Sequence, residues 1–365
     1  MSIDARARRA AQDFRQAAND MERSAPDRSS FERFNRFLRR RQRSTRIGVI
    51  FVASVLTAAA LVFVARVIPR AERPAAPPIH NGRIVYGRSA PGVDWTRLFT
   101  INPDGTDEVS LPASFTDCAE WSPDGTTLHI TASEYPGSRL RPAVINADGT
   151  GFRLLNATSN TDLNLGCGDW TPDMSRLVLE GFPEPGHPEL NGIYSVRGSD
   201  GGDLTLVSRN PFGGYDAVPQ VSPDGTKVVF LRNDPSRHLR GPQAGALYAV
   251  GLGGTGLRRI TPWGAARSSG SWSPDGQWIA FAGPPHDLYL VHPGGSGLVR
   301  IPVNLGMGRP LQPRWSPDGT MLVFGLQTNG QGDIYSVHAD GSDLTQITST
   351  PTIDERWPDW GTYEG

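Results

Sequence analysis

"AEWSPDG", Ala119–Gly125, decides the fold of this chain because the chain writes it repeatedly. It returns as "WTPDM" at Trp170, "VSPDG" at Val221 and "WSPDG" at Trp272 and Trp315. A degenerate form, "WPDWGT", ends the series at Trp357–Thr362. With Trp360 as the last register point, the spacings are 49, 51, 51, 43 and 45 residues. A second marker runs between the copies: "INPDGTD" from Ile101, "INADGTG" from Ile145, "VRGSDGGD" from Val196, "VGLGGTG" from Val250, "VHPGGSG" from Val291 and "VHADGSD" from Val337. Two markers with one period of 40–50 residues define a four-stranded propeller blade.

The local chemistry agrees. In SPDG the proline presets φ at the second turn position and glycine takes the left-handed position that other residues avoid. Apolar alternation follows each copy, as in Leu128/Ile130, Val228/Phe230 and Leu322/Phe324, which is a strand signal. The next strand centres on an aromatic, Phe99, Tyr194, Tyr248, Tyr289 or Tyr335. Trp121, Trp170, Trp272, Trp315 and Trp360 are wedges suited to packing against a neighbouring blade. The first unit lacks its SPDG strand and the last has a spare one, so the C-terminal strand is expected to complete the N-terminal blade and remove free sheet edges. The predicted fold class is all-β: a six-bladed β-propeller preceded by a single transmembrane α-helix.

WSPDG, an apolar strand, an aromatic strand, DG[ST] and LT together resemble the repeat of the TolB-like propeller family, over residues 81–365. Val221, Met174 and the missing serine of the last copy depart from the pattern at single turns. The resemblance implies a periplasmic or extracellular six-bladed propeller that binds proteins. It also implies an N-terminal α/β domain in TolB itself, in whose place this chain is expected to carry a membrane anchor. No residues for a specific TolB partner can be matched.

Charge divides the chain. Residues 1–46 hold thirteen Arg against six acids, residues 66–80 add a net +2, and the overall −1 leaves −10 for residues 81–365. An acidic body under a basic head argues against a nucleic-acid binder. Between them Ile47–Ala65, "IGVIFVASVLTAAALVFVA", is nineteen residues without a charge, about 28 Å of helix against a hydrocarbon core of about 30 Å. The forty-six residues before it, charged and poor in large apolar side chains, fit a signal anchor better than a cleaved signal peptide. The organisation read from this is a basic cytoplasmic segment at 1–46, a transmembrane helix at 47–68, a Pro-rich linker at 69–80 and a propeller at 81–365. Seven Arg between Arg33 and Arg46 precede the span and three follow it, which places the N-terminus in the cytoplasm and the propeller outside the plasma membrane. Ser29 and Glu32 fit a helix-capping box before Phe31, Phe34, Phe37 and Leu38, a basic turn at the bilayer.

Catalytic motifs are scarce. The sequence contains no GxSxG, P-loop or HExxH, and neither metal nor cofactor is expected. His292 and His338 occupy matching hairpin positions, and solvated strand ends explain them. Cys118 and Cys167 each lie three residues before a blade Trp. They are either a disulfide, which the extracytoplasmic setting permits, or two buried small hydrophobes. Adjacent inner strands are expected to splay, and a bridge needs Cα atoms within about 7 Å.

Recognition is expected on the loops opposite the two regular turns. Those loops are longer, all different, and carry Trp95, Tyr135, Arg139, Tyr215, Arg237, Trp263, Arg267 and Arg309, residue types that dominate binding hot spots. The reading is a binding or sensing module for an envelope protein, peptide or glycan. An envelope hydrolase or lyase with a loop-borne site is the alternative.

Overall fold

The computed structural model describes residues 80–363 except 91–95, 116–117, 134–137, 157–162, 184–186, 238–244 and 351. The basic segment, the span 47–68 and the linker up to residue 79 lie outside the described residues. Within them no helix is long and apolar enough to cross a membrane.

Six four-stranded antiparallel sheets make up the described chain. Blade 2 shows the plan: Ala119–Trp121 innermost, then Thr127–Ala132, Arg141–Asn146 and Arg153–Leu154 at the rim. Blades 3 to 6 repeat it with inner strands Leu163–Trp170, Asp216–Val221, Ser271–Trp272 and Arg309–Trp315. Blade 1 differs. Its innermost strand is Asp354–Tyr363, from the other end of the chain, followed by His80–Ser89, Thr96–Ile101 and Val109–Phe115. The register runs from His80 opposite Tyr363, through Ile84 opposite Trp360, to Ser89 opposite Asp354.

The SPDG serine acts twice. Ser122 Oγ donates to Asp124 Oδ1 (2.6 Å) and accepts the Thr127 amide (3.0 Å), locking the turn before the second strand. Gly125 sits at φ 68°, the left-handed region, and Met174 takes φ 57° at the same turn position of blade 3. Each Asp also accepts the amide two residues on, as Asp224 does from Thr226 (3.0 Å). Hydrogen bonds from Ser222 and Thr226 push Asp224 down to about 2, so the carboxylate that holds this turn stays ionised.

The hydrophobic core is divided among the seams between blades. Trp121 packs with Val85 and Leu98 of blade 1 and with Leu128 and Ile130 of its own blade. Trp170, Val221, Trp272 and Trp315 each fill the corresponding seam. Trp360 joins Ile84, Tyr86 and Ile101 to Val323, Ile334 and Ile347 of blade 6. One wedge therefore closes the ring.

Trp360→Ala is expected to lower the unfolding free energy by about 3–5 kcal/mol, the usual cost of deleting a buried aromatic. Urea unfolding measures it, and a loss below about 1 kcal/mol would contradict the closure described here.

Candidate functional site

Two regions of the ring carry chemistry, the axis and the wide-loop face. Each inner strand has one edge on the axis, where backbone N–H groups lack a neighbouring strand, and buried donors need acceptors. The residue before each blade marker supplies much of the answer. Asp359 Oδ2 accepts the Trp121 amide of the next blade at 2.8 Å, and Asp169 Oδ2 accepts that of Val221 at 2.8 Å. Ser271 Oγ accepts that of Trp315 at 3.3 Å. The three intervening blades place Glu120, Gln220 and Arg314 at this position, and these meet one another. Arg314 Nη2 pairs with Glu120 Oε1, and Gln220 Nε2 donates to Glu120 Oε2 at 3.3 Å. Arg314 Nε stands 3.7 Å from Asp359 Oδ1. Caps and charged fillers alternate around the axis.

Three carboxylates thus share one guanidinium. Burial pushes Glu120 up against the attraction of Arg314, with Asp169 and Asp359 adding repulsion. Burial likewise raises Asp169, to about 7, and Asp359. Arg314 is held more firmly protonated, its burial outweighed by the attraction of Glu120, Asp359 and Asp169. Among the described residues no group of three or more His, Cys, Asp or Glu side chains is arranged to hold a metal ion.

Three residues before the markers, Cys118, Cys167 and Val218 cluster with Trp357 and Ala217. Cys118 and Cys167 form a disulfide with Cα atoms 5.3 Å apart. The expected splay of the inner strands is absent at this level. A bulge between Leu165 and Gly168 displaces the blade 3 strand, and Glu180 takes the amides of Cys167 (3.4 Å) and Val218 (2.8 Å).

The wide-loop face is different in character. Arg237 lies over the Trp263 ring at 4.6 Å, Phe212 meets the same ring edge-on at 5.8 Å, and Tyr248 tilts against it at 5.8 Å. Phe212 is 41% exposed. The patch rests on rigid support. Buried Asp234 takes the Arg237 Nε–H at 2.8 Å. Asn210 ties its loop to the Tyr215 and Asn233 carbonyls at 3.0 Å each. Below, fully buried Arg232 donates from Nε to Asp216 at 2.7 Å and stacks near Phe230 and Tyr248. Arg267 and Arg309 approach closely enough that burial and the Arg309 charge lower the Arg267 guanidinium. A cavity of about 350 Å³ opens between blades 5 and 6, lined by His286, Asp287, Arg300 and Asn304, with Met307 93% exposed beside it.

Of the residues expected from sequence, the structure joins Arg237 to Trp263 and Arg267 to Arg309. Tyr215 is half-buried and Arg139 stands apart from the patch by element, on the second to third strand loop of blade 2. Trp95 and Tyr135 lie outside the described residues. His292 and His338 are used within their own blades, His292 stacked on Trp278 at 3.9 Å and His338 3.6 Å from Asp343. The axial residues Glu120, Asp169, Arg314 and Asp359 escaped sequence reasoning. Their signal was a polar residue before every blade marker, Glu120, Asp169, Gln220, Ser271, Arg314 and Asp359.

No family model matches the sequence. An uncharacterized protein of Agrobacterium fabrum, Atu1656, is 27% identical over 237 residues, 64% of this chain and 73% of that protein. The Tol-Pal system protein TolB of Desulfosudis oleivorans is 32% identical over 106 residues, and the match spans 28% of this chain and only 23% of that protein. Among solved structures, TolB from Acinetobacter baumannii superposes with a TM-score of 0.60 at 21% identity, over 77% of this chain and 66% of that one. The described fold is a TolB-like six-bladed β-propeller.

The axial carboxylates give a pH signature. Asp169 is raised above its unfolded value near 4, so its contribution is present at low pH and is lost as pH rises through about 7. Between pH 4.5 and 8 the parent is expected to lose about 2–4 kcal/mol relative to Asp169→Asn. Urea midpoints at the two pH values measure this; parallel pH profiles would contradict it.

Proposed function

We propose that this chain is a single-pass membrane protein of the cell envelope whose extracytoplasmic propeller docks a protein partner through its wide-loop face. The observation that carries the reading is the Arg237–Trp263–Phe212 cluster on the loops of a TolB-like propeller. Trp and Arg are the residues in which interface energy concentrates, and a supported, part-exposed aromatic patch loses little entropy on binding.

The opposite face contrasts with it. Its turns are near copies of one another, and their aspartates are committed to holding the turns, as Asp148 is to Thr150. Regular turns of one charge provide little to distinguish partners, whereas the wide loops differ in every blade. A relative of this chain is described as a Tol-Pal system protein, which supports an assignment to the envelope. The uncharged stretch Ile47–Ala65 and the arginines before it support an anchor with the N-terminus inside. His80 pairs with Tyr363 at the turn-face end of blade 1, so a tether entering there leaves the wide-loop face pointing away from the bilayer.

Arg237→Glu combined with Trp263→Ala is expected to weaken partner capture by the purified chain at least about 10-fold. Phe152→Ser, which changes a 51% exposed aromatic on the turn side, should leave it unchanged. The reverse pattern would place recognition on the turn face.

A further inference from the structure

Comparing the six seams with one another singles out one of them. In five, an aliphatic residue of the second strand packs with the marker of the next blade: Val85 with Trp121, Val178 with Val221, Val229 with Trp272, Ala280 with Trp315 and Val323 with Trp360. In blade 2 that position is His129, fully buried. It stands opposite Glu120 on one side and Val144 on the other, and Val144 packs with Trp170 of blade 3. Neither ring nitrogen of His129 has a hydrogen-bond partner among the described residues, and neither does Thr131 Oγ1 two residues along the same strand. Burial alone pulls the imidazole down to about 3, keeping it neutral. Unpartnered buried polar atoms destabilise the contact that holds them.

The same seam carries a second burden. Glu120 belongs to blade 2 and Asp169 to blade 3, and Asp169 raises the energy of Glu120's ionised form. Asp169 also accepts the amides of Val221 in the next blade and of its own neighbour Trp170, both at 2.8 Å. Yet this seam alone is bridged covalently among the described residues, by Cys118 of blade 2 and Cys167 of blade 3. The clamp and the buried imidazole coincide.

We propose that the seam between blades 2 and 3 is a redox-gated opening of the ring, held shut by the Cys118–Cys167 disulfide and opened by a dithiol reductant. In that step the S–S bond takes two electrons and two protons from the dithiol, leaving two thiols here and a disulfide on the reductant. The inner strands Ala119–Trp121 and Leu163–Trp170 then separate before any other pair. Water reaches His129 and the axial carboxylates, whose desolvation no longer opposes ionisation. The other five seams, lined by aliphatic residues against their markers, stay closed.

Hydrogen exchange read by mass spectrometry on the full chain, before and after dithiothreitol, tests this. Exchange in peptides covering 118–132 and 163–170 is expected to rise at least 10-fold on reduction, while the matching peptides 270–283 and 310–324 change less than 2-fold. His129→Val, which gives this seam the side chain used elsewhere, should suppress most of the rise and is expected to fold at least as well as the parent. A uniform rise in all seams, no rise at all, or an equal rise in His129→Val would each overturn the proposal.

Discussion

The pairing of Asp354–Tyr363 with His80–Ser89 is the constraint on which the rest of the ring depends. A propeller blade cannot bury both faces alone; each needs a neighbour on either side. Without the closing strand, blade 1 would lack its inner strand, and Ile84, Tyr86 and Val323 would lose the Trp360 wedge. The outer edges need a different remedy. In blades 2, 4, 5 and 6 the outermost strand is only two residues long, which leaves little edge for another chain to pair with.

Closing the ring creates a third edge problem at the axis. Six inner strands bring their free amides together in a confined, largely buried space. This protein answers with side chains from alternate blades, Asp359, Asp169 and Ser271, and fills the remaining space with Glu120, Gln220 and Arg314. The result caps three marker amides from the neighbouring blade and leaves more carboxylates than cations under burial. A buried pair of this kind is weak support for stability and strong specification of geometry. It follows that the axis fixes how the blades are phased, while the apolar seams hold them together. Loops on the far side are then free to vary, and the Arg237–Trp263 patch stands on a base set by buried Arg232 and Asp216.

The blade number and the turn chemistry were legible in the sequence because each rests on local residues repeated at one period. Trp360 could be placed in register even with its turn serine missing. The axis was not legible in the same way. A polar residue before each marker reads as ordinary alternation in a single strand; it becomes a cluster only when six strands converge. Arg267 and Arg309 were visible as loop arginines, but their proximity depends on adjacent blades. For Cys118 and Cys167 the repeat gave equivalent positions and left the separation open; the structure sets their Cα atoms 5.3 Å apart, next to a bulge at Gly168.

Recognition is assigned to the wide-loop face of a closed ring. Site-specific photo-crosslinking in the native cell tests it most directly, with a benzophenone side chain at Phe212 or at Leu344. These positions are similarly exposed, at 41% and 38%, and lie on opposite faces. A discrete protein adduct from position 212, with none from 344, is the predicted result. An adduct from 344 alone would contradict the claim.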